Sequence, residues 1–133
     1  MNYKTWVGVA IGGFAGAIGR YGLSQVSMVW GRVSLNILVI NLLGAFLLAG
    51  FLEISLERLQ LSAQVRTGIS TGFLGAFTTF SGLCSEAFGL NLAEGAGIAG
   101  IYLLLSLAGG MCAAFAGVVV GRMLSVRSGE FHE

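Results

Sequence analysis

Proline is absent from this 133-residue chain, and charged residues make up only 10% of it. A soluble domain of this length needs a charged surface, which this composition cannot supply. Hydrophobic residues reach 56%, and the 22 glycines fall within long apolar runs, where small residues let helices approach closely. The composition therefore predicts an integral membrane protein with one domain over residues 1–133.

Few residues in the chain are suited to catalysis or metal binding. Both cysteines, Cys84 and Cys112, lie in apolar segments without a CxxC pair, and the single histidine, His132, lies in the polar tail. This pattern predicts neither a disulfide nor a Cys/His metal site. Because there is also no Ser/His/Asp set and no phosphate loop, we do not expect an enzyme. The net charge of +1 gives no footprint for nucleic acid, and the first apolar run is too long for a cleavable signal peptide.

Four apolar runs are long enough to cross a bilayer, which takes about 20 residues. They cover residues 6–28, 35–52, 65–90 and 98–123. Trp6 and Trp30 bracket the first run, as expected for the two membrane interfaces. Because the connections are short, neighbouring helices are predicted to be antiparallel. The predicted fold is an all-α membrane protein of four transmembrane helices.

Small residues recur four positions apart in the predicted helices. This spacing gives a helix a flat stripe for tight packing. Four short helices are also too thin to enclose a pore, so we expect an oligomer in which some stripes form subunit contacts. The stripes are Gly8/Gly12/Gly16, Gly68/Gly72, Ala96/Gly100 and Gly117/Gly121.

The basic residues are distributed unevenly between the two predicted ends of the bundle. Arg32 lies at one end, and five other basic residues lie at the opposite end, which also holds both termini. The positive-inside rule therefore favours a cytoplasmic location for both termini. The residues at the opposite end are Lys4, Arg58, Arg66, Arg122 and Arg127.

The third run contains a polar centre, in the sequence GFLGAFTTFSGLCSE at residues 72–86. Gly75 tolerates a broken helix, and the hydroxyls of Thr78, Thr79 and Ser81 can satisfy backbone groups that a break sets free. A break at mid-membrane exposes carbonyl groups to a cation and amide groups to an anion. The alternative is an unbroken helix in which these hydroxyls bond back to their own carbonyls.

Two polar residues stand inside the first and second runs. Arg20 predicts an electropositive vestibule for an anion, because charges within a membrane are usually functional; the alternative is an arginine that snorkels to the interface. Asn41 lies in LVINLLGAF, where its amide serves either an ion path or a hydrogen bond between helices.

Further polar and aromatic residues follow in the third and fourth runs. Phe80 can present a positive ring edge to an anion, although packing is the more common role of such a ring. Glu86 must be paired, protonated or hydrogen-bonded. Tyr102 and Ser106 share a helix face, which either continues the polar line or bonds to the helix backbone.

The segment GFLGAFTTFSGLCSE resembles the GFLGG-LTTFSTFS-x-E signature of the Fluc/CrcB fluoride channels. GAIGRY around Arg20 is similar to the first-helix arginine motif of that family, and LVINLLGAF to its second-helix VN-x-x-G motif. The three segments occur in the family's order, and the resemblance covers all four predicted helices.

The resemblance implies a fluoride channel that exports fluoride passively across the cytoplasmic membrane and protects the cell from fluoride toxicity. It also implies an antiparallel, dual-topology dimer, with a sodium ion at the interface held by carbonyls of a broken third helix, here Gly75 and Thr78. Arg20 would lie by the vestibule. The residues at pore-associated positions would be Asn41, Phe80, Ser81, Glu86, Tyr102 and Ser106.

Several positions depart from the family pattern. Leu83 stands in place of a second phenylalanine, and Gly82 and Cys84 replace a threonine and a serine. Ile37 and Gly110 replace hydroxyl residues. One of the two sets of pore residues is therefore depleted. Together with the uneven basic residues, this favours a heterodimer with an oppositely oriented paralogue, in place of a homodimer.

Two other functions stay open at the level of sequence. One is a small dual-topology secondary transporter of the multidrug type, which typically needs a carboxylate in its first helix; this chain has Arg20 there and no acid. The other is a non-conducting structural subunit of a heterodimer.

Overall fold

The computed structural model describes residues 3–26, 28–30, 33–57 and 61–127. Two long helices joined by a short β-hairpin are followed by an interrupted helical region over residues 63–94, here called the third helix, and by a long last helix. The elements are α1 (Tyr3–Ser24), β1 (Val29–Trp30), β2 (Val33–Ser34), α2 (Asn36–Glu57), α3 (Ala63–Thr67), a π-helix (Gly68–Leu74), α4 (Gly75–Phe77), α5 (Phe80–Glu94) and α6 (Ala96–Arg127).

The first helix ends earlier than the sequence predicts. The first predicted run extends to residue 28, whereas α1 ends at Ser24, whose hydroxyl donates to the Tyr21 carbonyl at 2.7 Å. Asn36 then holds the connection, because its side-chain NH₂ donates to the Ser24 carbonyl (2.9 Å) and its side-chain oxygen accepts from the Met28 N–H (3.0 Å). The antiparallel strands β1 and β2 complete this connection, which the hydrophobic pattern does not reveal.

Two helices are long and apolar enough to cross a membrane. Among the described residues these are Asn36–Leu56 in α2 and Ala96–Ser125 in α6, with mean hydropathies of 2.3 and 2.2. Only 11% and 6% of these segments is buried inside the chain, so they are unlike the buried core helix of a soluble protein. Two of the four predicted spans therefore coincide with helices whose length and hydropathy suit a membrane crossing.

Helix α1 packs in parallel on the first half of the third helix through glycine. A methyl group at Gly12 would overlap the Gly68 carbonyl oxygen, and one at Gly16 would overlap the Phe73 carbonyl. Gly72 in turn lies against the backbone of Val9. Because backbone meets backbone, the first two predicted stripes form a contact within one chain.

Helices α2 and α6 form a second parallel pair. Gly117 lies against the Phe46 carbonyl and the Gly50 amide, which confirms close packing along the Gly117/Gly121 stripe. The pair ends in an ion pair between Arg122 Nε and Glu53 Oε1 at 2.7 Å. The Ala96/Gly100 stripe behaves differently, since a methyl group at Gly100 would touch none of the described residues.

The basic residues that can be placed lie where the sequence predicts. Lys4 and Arg66 begin the parallel pair of α1 and the third helix, and Arg122 lies with Glu53 near the end of α2, from which the chain enters the third helix. These cations therefore share one end of the bundle. Arg32, Arg58, His132 and the side chain of Arg127 lie outside the described residues.

Candidate functional site

The third helix is interrupted within the polar centre that the sequence singled out. Thr78 and Thr79 are extended, with φ/ψ of −76°/157° and −147°/119°. Helical bonding ends at the bond from the Thr78 N–H to the Leu74 carbonyl (3.2 Å), and a new helix begins at Phe80. The broken helix is thus confirmed, and the unbroken alternative is wrong.

Asn41 from α2 closes the break. Its Nδ2 donates to the Thr79 carbonyl at 3.0 Å, and its Oδ1 accepts from the Thr79 N–H at 2.8 Å. A single amide therefore satisfies both backbone groups of one extended residue, in the way that a neighbouring β-strand would. Of the two roles open for Asn41, the hydrogen bond between helices is confirmed.

The break leaves the last carbonyl groups of the preceding helical segment without the amides that would normally bond to them, and those of Gly75 and Thr78 are among them. The Thr79 N–H, which would reach Gly75 in a continuous helix, donates to Asn41. The Gly82 N–H, which would reach Thr78, donates to Thr79 Oγ1 at 3.0 Å. No cluster of three acidic, histidine or cysteine side chains occurs in the described part of the chain. The carbonyl oxygens of Gly75 and Thr78 are ligands of the type that a hard cation prefers, as are the hydroxyl and amide oxygens beside them.

The hydroxyl groups of the motif divide between two roles. Thr78 Oγ1 donates to the Leu74 carbonyl (3.1 Å) and Ser70 Oγ to the Arg66 carbonyl (2.8 Å), as in the alternative of hydroxyls that bond back. Thr79 instead caps α5 and lies 3.3 Å from Ser81 Oγ. The Thr79 hydroxyl therefore satisfies a backbone N–H beside the break, as the sequence predicts, and it does so as the N-cap of a helix.

The two phenylalanines that flank the threonines have opposite environments. Phe77 is 5% exposed and stacks on Phe73, with ring centroids 6.1 Å apart. Phe80 is 78% exposed and lines a groove of about 340 Å³ together with Asn41 and Leu83. Phe80 is therefore the accessible ring of this pair.

Three other predicted residues meet between α5 and α6. Tyr102 is 4% exposed and lies in a buried cluster with Ala87, Leu90 and Ala99. Its hydroxyl lies near Ser106 and the Glu86 carboxylate, but the geometry does not meet that of a hydrogen bond. Tyr102 OH, Ser106 Oγ and Glu86 Oε2 are all buried without a hydrogen-bond partner among the described residues.

The alternative in which the hydroxyls of Tyr102 and Ser106 bond to the helix backbone is therefore wrong. A buried polar group without a partner costs about 1–3 kcal/mol. Most buried side-chain polar groups in native proteins have a hydrogen-bond partner, so these three atoms mark a site that suits a polar ligand.

Arg20 lies apart from these residues. It is half-buried on α1. The neighbouring Gly19 faces the Phe77 ring, because a methyl group at Gly19 would lie 3.6 Å from the nearest ring atom. Arg20 is therefore at the level of the break but makes no hydrogen bond with the other predicted site residues in the described ranges.

These features define a class of protein: a small helical membrane protein with a discontinuous helix, the device by which channels and transporters present backbone groups to ions within the bilayer. The family model described as "CrcB-like protein, Camphor Resistance (CrcB)" matches residues 7–118. The chain belongs to this CrcB family.

Curated relatives resemble most of the chain. Fluoride-specific ion channel FluC 1 of Moorella thermoacetica is 40% identical over 117 residues, which cover 86% of this chain and 84% of the relative. Fluoride-specific ion channel FluC 2 of Carboxydothermus hydrogenoformans is 40% identical over 126 residues, which cover 95% and 88%. FluC of Thermosipho melanesiensis is also 40% identical, with coverage of 86% and 93%.

Proposed function

We propose that this chain is a subunit of a fluoride-selective channel that lets fluoride leave the cell passively across the cytoplasmic membrane. The relatives named above are fluoride-specific ion channels that match the chain over nearly its full length. Such export would protect the cell against fluoride toxicity.

The observation that carries the proposal is the pair of unpartnered buried hydroxyls on Tyr102 and Ser106. Fluoride is small and strongly hydrated, so a pore has to replace its water with closely spaced donors. Both hydroxyls have a proton to donate and no acceptor among the described residues. The nearby Glu86 contributes an acceptor that can orient them.

The rest of the proposed pathway follows the break. Asn41 uses one N–H of its NH₂ group on Thr79 and retains a second for the ion. Ser81 and Phe80 stand at the exposed start of α5, where the ring edge of Phe80 and the Ser81 hydroxyl can face an anion. Arg20, at the level of the break, would attract the anion into the vestibule.

We further propose that two chains assemble antiparallel, with a structural sodium ion between their third helices. The carbonyls of Gly75 and Thr78, deprived of their usual amide donors, support this cation site. Phe80 would then be covered by the second subunit, which accounts for a large aromatic ring that is 78% exposed in the single chain.

Fluoride efflux from liposomes tests the function and the role of Phe80. We expect Phe80→Ile to lower fluoride efflux at least tenfold and to leave assembly unchanged, because the substitution removes the ring edge and retains apolar bulk. Phe14→Ile is the matched control, since Phe14 is 72% exposed on α1. Unchanged efflux in the Phe80 variant would remove this ring from the pathway.

We also propose that the natural partner is an oppositely oriented paralogue. Leu83, at the position of the expected second phenylalanine, packs on the buried cluster around Tyr102. Ile37 replaces a hydroxyl residue, and its Cδ1 lies 3.2 Å from the position of a methyl group at Gly82. A homodimer would duplicate these apolar positions, whereas a paralogue could supply the missing donors. Fluoride efflux at full rate from the chain alone would contradict a required partner.

The two alternatives are separated by the same assay. A multidrug-type transporter would couple flux to an imposed pH gradient, whereas a channel would pass fluoride under voltage alone. Helix α1 contains no aspartate or glutamate, so no observation favours the transporter. If the chain is a non-conducting subunit, it shows no fluoride efflux, and neither Asn41→Ala nor Phe80→Ala can lower it.

A further inference from the structure

A shallow apolar groove follows the outer side of the contact between α1 and the first half of the third helix. Its volume is about 460 Å³. Gly8, Gly12 and Gly68 form its floor, because the absence of side chains there lets the two backbones meet. Val7 and Ile11 form one wall and are 51% and 65% exposed, so no described part of the chain covers the groove.

The groove is polar at one end only. Lys4 and Gln64 line that end, and the opposite end is formed by Ala15 and Phe73. Arg66 belongs to the same end of the bundle, since it follows Gln64 by two residues. One end of the groove is therefore cationic, and the rest of the groove is apolar.

These properties match one class of occupant. From Lys4 to Ala15 the groove follows 11 residues of helix, or about 16 Å at 1.5 Å per residue, which is close to half of the roughly 30 Å hydrocarbon core of a bilayer. An acyl chain of one leaflet fills such a length. The adjacent Trp6, 62% exposed, is a residue type that favours the headgroup level.

We propose that this groove binds an anionic phospholipid, with one acyl chain along Gly8 and Gly12 and the phosphate on Lys4 and Gln64. Basic residues near a membrane surface attract anionic lipids with about 1 kcal/mol each, which sets the expected preference for anionic over zwitterionic lipid. None of the residues of the proposed fluoride pathway, including Arg20 on α1, lines the groove.

The proposal is tested on the purified full chain in detergent by native mass spectrometry. Dioleoyl-phosphatidylglycerol and dioleoyl-phosphatidylcholine, which share their acyl chains, are titrated separately. We expect tighter binding of phosphatidylglycerol, a loss of about fivefold in Lys4→Gln, which is what roughly 1 kcal/mol corresponds to, and recovery in Lys4→Arg. Equal retention of both lipids by the natural chain would overturn the proposal.

A second pair of variants tests the apolar part of the groove. Ile11→Trp places a large ring over the floor and should reduce the retention of both lipids. Ile18→Trp is the matched control, because Ile18 is also exposed on α1 (55%) but does not line the groove. If Ile11→Trp lowers the dimer fraction and leaves phosphatidylglycerol bound, a second copy of the chain covers this face and the lipid proposal is wrong.

Discussion

Thr79 makes four polar contacts with groups from two helices. Its backbone N–H and carbonyl bond to Asn41, and its hydroxyl accepts from Gly82 and meets Ser81. An extended residue between two helix ends would otherwise leave both backbone groups unpaired, which is costly in a bilayer. The break is therefore stable because a side chain 38 positions away in the sequence completes it.

Replacing Asn41 tests this dependence. Asn41→Leu would leave both Thr79 backbone groups without a partner, at about 1–3 kcal/mol for each. We expect a fall of several degrees in the thermal unfolding temperature in detergent, together with loss of fluoride efflux. Asn91→Leu, at an exposed position of α5, is the control and should unfold like the natural chain. An unchanged melting temperature in Asn41→Leu would mean that the break does not need the amide.

At the scale of helices, the contact between α1 and the third helix has no room for side chains. The π-helix Gly68–Leu74 supplies Gly68 and Gly72 to this contact, with Gly12 and Gly16 opposite. A π-helical segment is wider than an α-helix and is rare outside functional regions. Here it directly precedes the break, so the packing of α1 on the π-helix also sets the positions of Gly75 and Thr78.

A pair of glycine substitutions on α1 separates packing from helix propensity. Gly16→Ala would drive a methyl group into the Phe73 carbonyl, so we expect lower stability and loss of efflux through a displaced break. Gly22→Ala meets no described atom within 4 Å, and alanine favours a helix by about 0.5–1 kcal/mol. The Gly22 variant should therefore be equal to or more stable than the natural chain. Thermal unfolding of the two variants checks the prediction; equal melting temperatures would contradict tight packing at Gly16.

The helices differ in how well the sequence predicts them. The break is one of two possibilities that Gly, Thr and Ser within GFLGAFTTFSGLCSE leave open, because the amide that completes it, that of Asn41, lies on another helix. The end of α1 does not follow from hydrophobicity, since Asn36 sets it with bonds to Ser24 and Met28. The π-helix is likewise not indicated by the hydrophobic pattern, and its residues Gly68 and Phe73 pack on Gly12 and Gly16 of α1. The sequence singles out Glu86, Tyr102 and Ser106 individually, but their burial without hydrogen-bond partners among the described residues depends on how α5 packs on α6.

At the scale of the whole molecule, three of the described basic residues lie at one end. Lys4, Arg66 and Arg122 share it, and Glu53 is paired with Arg122. Basic residues near short loops set the orientation of a membrane protein, so this distribution opposes equal insertion in both directions. An antiparallel assembly would then need a partner with the reverse bias.

Reporter fusions at the C-terminus test the orientation. We expect a fluorescent protein that folds only in the cytoplasm to be bright, and an alkaline phosphatase that is active only outside the cytoplasm to be inactive. Lys4→Gln combined with Arg66→Gln should raise phosphatase activity, because it weakens the bias. Leu56→Gln is a control that changes an exposed residue near the same end without changing charge. Comparable signals from both reporters in the natural chain would indicate dual topology and favour a homodimer.

The pairing of α2 with α6, the last helix, has a consequence for biosynthesis. From Glu57 to Arg127 the ribosome adds 70 residues, which takes roughly 4–14 s at 5–20 residues per second. During that interval Gly50 on the nascent α2 lacks the helix that it will contact. Among the described helices, α2 and α6 are also the two apolar enough to enter lipid by themselves, so the translocon can release α2 early. Helix α1 likewise has to wait for the third helix, on which it packs through Gly12 and Gly16.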